Sequence, residues 1–109
     1  MAIARPTSKL TWDDPTTYDD GSGVTESEIA GYTIHMGQTS GVYTINHFVP
    51  NAEPDEALFG SISGLTNGDW FVALSAQDLN GIDGQKTVEI PVTYVSKILS
   101  APTNFTIVY

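Results

Sequence analysis

Cysteine is absent from the 109 residues, so the chain has neither a disulfide framework nor a thiolate metal site, and its fold must be held by packing alone. Basic side chains are scarce: four, against thirteen acidic ones, for a formal net charge of -9. Phosphate backbones and anionic membrane surfaces repel such a chain, so neither nucleic acid nor a membrane is expected as a partner. Arg5, Lys9, Lys86 and Lys97 lie towards the two ends, and nothing basic occurs between Leu10 and Gln85. Long apolar runs are missing too. No stretch approaches the roughly 18 residues of a membrane span, and residues 1–7 hold no apolar core of signal-peptide length, so no export address is expected. Neither a Gly loop followed by Lys that would cradle phosphate nor a Gly-x-Ser-x-Gly elbow is present. His35 and His47, the two histidines, have no Ser, Cys or metal-type partner at a recognisable spacing and are expected on strand surfaces. With no nucleophile, base or metal constellation visible, an enzyme is not expected, nor is a cofactor.

What is present is alternation. Residues 63–84 begin with a turn carrying Gly64, Asn67 and Gly68 and end in a second Gly/Asn/Asp turn. Between them Trp70, Val72, Leu74 and Ala76 alternate with Phe71, Ala73, Ser75 and Gln77, the pattern of a half-buried strand between tight turns. Leu65, in the first turn, is placed to plug the end of a core.

Taken in order, residues 9–12 form a short strand with Leu10 and Trp12 on one face, followed by a polar loop over 13–23. Residues 29–36 alternate with Tyr32, Ile34 and Met36 on one face and Thr33 and His35 on the other. A hairpin turn is expected at 37–41, an edge strand over 42–49 stopped by Pro50, and an acidic loop at 51–56. Residues 57–62 then supply a short strand with Leu58 or Phe59 turned inward. Finally 87–94 alternates with Val88, Ile90, Val92 and Tyr94 on one face, and Pro91, which lacks an amide donor, marks it as an edge strand. Six or seven short strands in a chain of about one domain argue an all-β, two-sheet antiparallel sandwich.

The motifs Leu10-x-Trp12, Tyr32-x-Ile34, Leu65-x-x-Gly68 and Ala76-x-Asp78-x-x-Gly81 resemble a fibronectin type III domain of the bacterial and bacteriophage kind, over residues 9–94. The resemblance implies a fibronectin type III or immunoglobulin-like sandwich spanning 9–95. Its core would comprise Leu10, Trp12, Tyr32, Ile34, Leu65, Trp70, Val72, Leu74, Val88, Ile90 and Val92. Two features depart from the family. Trp70 stands where a tyrosine often ties its hydroxyl to the corner's backbone, so that tie is expected to be reversed or absent. The family's first strand has only residues 1–8 to occupy, so this arm is expected to hold a short or missing strand.

The far end, residues 96–109, carries a segment like just such a first strand, with Phe105 and Ile107 on one face. In this family the termini lie at opposite poles, so a tail leaving the last strand travels away from its own domain. Residues 101–109, with Ala101, Pro102, Phe105, Ile107 and Tyr109, are therefore expected to contact another protein subunit, a second copy included, by strand addition. The resemblance implies a structural or interaction protein of a bacteriophage virion, a head decoration or tail-associated component. The alternative is an accessory module for carbohydrate or a cell surface, extracellular beside a secreted enzyme, using Tyr18, Tyr43 and Trp70. Hard oxygen ligands on the loops at Asp13, Asp14, Asp19, Asp20, Asp78 and Asp83 make calcium the one metal to test, although the spacing matches no EF-hand.

Overall fold

The computed structural model describes residues 2–51 and 54–109. Seven strands are found among them: β1 (Ala2–Ala4), β2 (Lys9–Thr11), β3 (Ile29–Gly37), β4 (Ile45–Pro50), β5 (Glu56–Leu58), β6 (Gly68–Asp78) and β7 (Ile90–Tyr94). They build a five-stranded sheet in the order β1-β7-β6-β3-β4 and a two-stranded sheet of β2 and β5. The fold is all-β. Single 3-10 turns at Glu26–Glu28 and Phe59–Ser61 are the helical segments among the described residues.

β6 and β3 form the centre. Their antiparallel ladder runs from Gly31 opposite Gln77 to Gly37 opposite Phe71, with an irregularity between Ile29 and Gly31. Alternation sends Tyr32, Ile34, Met36, Trp70 and Val72 to one face, where they are buried with Ala4, Val49, Ala57, Phe59, Ile62, Val92 and Tyr94. Leu10, Trp12, Leu65 and Leu74 pack against this cluster while remaining partly exposed. Burying a side chain such as Ile34 contributes on the order of 2 kcal/mol, and β3, with Tyr32, Ile34 and Met36, supplies more of these residues than any other strand.

Several expectations change. The large sheet is mixed: β1 pairs parallel with β7, Ala2 opposite Val92 and Ala4 opposite Tyr94. A first strand therefore exists, three residues long, and it joins the last strand. β7 is consequently not an edge where β1 covers it; Pro91 is tolerated because the β1 pairing begins only at Val92. Val88 and Ile90 are exposed, at 88% and 59%, and do not belong to the core. The strands of the small sheet are three residues each, too short to cover all of β7, so the alternation outruns the layer it was expected to pack on. The strand expected over 57–62 breaks after Leu58 into a 3-10 turn, which buries Phe59 and leaves Leu58 exposed. The acidic loop expected at 51–56 lies partly outside the described residues, at positions 52 and 53.

His35 is buried at 5% exposure rather than on the surface. The outward face of β3 and β6 is itself covered, burying Thr33, Ala73 and Ser75, because side chains from β4 and the preceding hairpin fold over it. The tie expected to be altered at Trp70 is made: Trp70 Nε1 donates to the Thr66 carbonyl at 2.8 Å. The indole supplies the donor that a hydroxyl would have supplied.

Candidate interaction site

β1 and β7 run side by side and end at the same pole, where the chain enters β2 through a turn at residues 5–8. The exit of β7 is pinned there. Val95 N donates to Ala4 O at 3.0 Å, Arg5 Nε to Val95 O at 2.8 Å, and Ser96 N to Asn67 Oδ1 at 2.7 Å. From Lys97 onward every residue is exposed, and no hydrogen bond returns to the body among the described residues. The radius of gyration is 18.2 Å and the extents are 74 × 27 × 21 Å, whereas a compact domain of this length has a radius of about 13 Å. The tail accounts for the difference by continuing outward.

Ala101, Pro102, Phe105, Ile107 and Tyr109 are all exposed, Phe105 at 91% and Tyr109 completely. Asn104 adopts φ of 57°, a left-handed kink that Asn tolerates, and it sets residues 105–109 apart from those before it. Residues 90–109 contain no carboxylate side chain. On a chain of net charge -9 this segment can approach another copy without adding carboxylate repulsion of its own.

The acidic loops meet at the other end of β6. Residues drawn from 13–32 and 74–87 line one groove of about 620 Å³, with Tyr18, Tyr32, Glu28, Asp78, Ile82 and Asp83 among its walls. Two of the carboxylates that line it, Glu28 and Asp78, and two close by, Asp14 and Asp20, are already engaged in hydrogen bonds. Asp20 Oδ1 accepts from the amide and hydroxyl of Ser22, which holds its pKa below the usual range. Glu28 accepts the Tyr18 hydroxyl and the Thr25 amide, so its pKa is lowered and that of Tyr18 raised. Asp78 Oδ1 accepts from the amides of Asn80 and Ile82 at 2.9 and 3.0 Å, closing its own loop. Asp14 accepts the Tyr32 hydroxyl and faces Asp55. Asp13, Asp14, Asp19, Asp20, Asp78 and Asp83 thus share an end of the molecule, but no group of three or more metal-ligating side chains converges among the described residues.

The buried histidine sits in a chain of polar contacts. His35 Nδ1 lies 2.6 Å from Asn46 Oδ1 and Nε2 lies 2.8 Å from Ser75 Oγ. With the Asn oxygen able only to accept, Nδ1 carries the proton and Nε2 accepts from the serine hydroxyl. Ser75 is 2% exposed, and the arrangement cross-links three strands. Glu89 plays a similar part at the surface: it accepts from Ser40 Oγ, Gly41 N and Tyr43 Oη, each at 2.6 Å. These bonds lower its pKa and raise that of Tyr43.

No protein-family model, curated protein or solved structure gives a significant match to this chain. The site therefore has to be read from its own geometry. Sequence reasoning located the tail and the acidic loops but missed Asp55, Glu89 and the partners of His35. His35 and Ser75 are 40 residues apart and Glu89 and Tyr43 are 46 apart, so only strand register reveals them.

Proposed function

We propose that this protein is a non-enzymatic structural module of the fibronectin type III-like sandwich kind, which makes protein–protein contacts within a larger assembly. The observation that carries the reading is the apolar tail, residues 97–109, exposed throughout and projecting beyond the pole where β7 ends. Exposed apolar side chains in alternation are costly to leave in water and mark a surface used for association. A bacteriophage virion component, a head decoration or tail-associated protein, is the setting the sequence resemblance supports. The test is the mass in solution, by light scattering, of the full chain and of a version ending at Ser100. Multimers formed by the full chain alone support the reading; identical monomers at all concentrations overturn it.

A second reading, an accessory module for carbohydrate, rests on the groove beside Tyr18 and Tyr32. Trp70, at 4% exposure, is not available to it. Binding to a glycan array that is lost in Tyr18→Ala would favour it.

A further inference from the structure

The small sheet has a vacant edge. Its register pairs Lys9 with Leu58, Leu10 with Ala57 and Thr11 with Glu56. Phe59 N donates to Ser8 O and Trp12 N to Asp55 O, so residues 8, 10 and 12 direct their backbone groups to β5. The N–H and C=O of Lys9 and Thr11 therefore point the other way, where no strand lies among the described residues. Below them Leu10 and Trp12 are only partly covered, and Trp12 Nε1 is buried with no acceptor among the described residues. A layer of two three-residue strands is also shorter than a stable sheet usually is.

Two of the other edges are less suited. β4 ends in Pro50, which has no amide to donate. β5 starts two residues after Pro54 and carries Glu56.

We propose that the edge of β2 receives residues 105–109 of a second copy of this chain. The inference rests on the reading of the tail as an assembly element and names what the tail binds. Direction decides between cis and trans. β7 runs towards the pole at which β2 begins, so β2 runs back from it. A tail that simply continues along β7 is antiparallel to the β2 of a copy stacked in the same orientation beyond that pole. Folding back on its own body, it would lie parallel to β2.

The kink at Asn104 sets the register. Residues 105–109 follow the kink outside the strands of the body; paired antiparallel as an added strand, they place Thr106 opposite Thr11 and Val108 opposite Lys9. Phe105 then lies beside Trp12 and Ile107 beside Leu10, turning two exposed apolar side chains onto the two half-covered ones. Charge agrees with this placement. Residues 1–12 and 90–109 are the two carboxylate-free stretches at the chain ends, so the contact brings no pair of acidic side chains from them together. The interface is head to tail and heterologous, so it builds a ring or an open filament rather than a two-fold dimer.

The absence of native cysteine allows a direct test. Full-length Thr11→Cys and Thr106→Cys are mixed and oxidised, with Thr11→Cys plus Phe105→Cys as the face-mismatched control and each variant oxidised alone. The proposal expects a mixed disulfide dimer from the first pair at several-fold higher yield than from the control. Tail-dependent multimers that give no preferential link would overturn the β2 assignment while leaving the assembly reading intact. Monomers under all conditions would overturn both. As a second measurement free of any folding defect, amide exchange of Lys9 and Thr11 in the unaltered chain is expected to slow at least tenfold between dilute and concentrated samples. Unchanged exchange in samples that do multimerise would also overturn it.

Discussion

The carboxyl of Asp55 lies against that of Asp14, which at the same time accepts the hydroxyl hydrogen bond of the buried Tyr32. Burial first, and then this carboxyl neighbour, push the Asp55 pKa up to about 6, while burial and the same bond raise that of Tyr32. An acid whose folded pKa lies above its unfolded value binds a proton more readily when folded. Its contribution to stability is therefore fully present below about 4 and is lost as the pH rises through about 6. Asp55→Asn is expected to raise the unfolding temperature at pH 7.5 and to leave it unchanged at pH 4, as followed by circular dichroism. Equal midpoints at both pH values would show that the pair carries no such cost.

Glu89 has the opposite sign. Its folded pKa is lowered by the bonds from Ser40, Tyr43 and Gly41, so its contribution is present at neutral pH and disappears as the carboxylate protonates below the usual glutamate range. In Glu89→Gln the hairpin of residues 37–44 is expected to loosen locally. The Gly41 amide, which donates to Glu89, is expected to exchange on the order of tenfold faster, with the β3–β6 amides unaffected.

Ser75→Ala tests the buried polar chain. It leaves the His35 Nε2 acceptor without its donor in a site where Ser75 is 2% exposed. The expected loss is about 1–3 kcal/mol in urea unfolding, with no change in m-value. Ser75→Thr, which keeps the hydroxyl, is expected to recover part of it.

Gly37 is a packing constraint. A Cβ at this position would stand 1.7 Å from the Val42 carbonyl oxygen, a backbone atom that cannot swing aside. Gly37→Ala is expected to displace the hairpin that leads into β4 and to cost on the order of 3 kcal/mol. Gly23→Ala, where nothing lies within 4 Å, is the matched control and is expected to be close to neutral.

Ile34→Ala opens a cavity at a fully buried position in the centre of β3. The expected loss is about 2–5 kcal/mol. The same substitution at Ile107, exposed at 71% in the tail, is expected to leave the unfolding of dilute protein unchanged while weakening assembly.

Alternation and turn chemistry by themselves determined that the chain is all-β, that β3 and β6 carry the core face through Tyr32, Ile34, Trp70 and Val72, and that an apolar segment remains at the far end. These are local properties, because a strand's period and a turn's glycines are written in consecutive residues. Only the tertiary structure decided that β1 joins β7 in parallel, that Val88 and Ile90 run past the opposing layer, that His35 is enclosed, and that Asp14 meets Asp55. Each of these depends on which strand lies next to which and in what register, and pairing partners far apart in sequence leave no periodic trace in either one. The vacant edge of β2 belongs to the same class: its strand was legible from Leu10 and Trp12, its missing neighbour only from the sheet order.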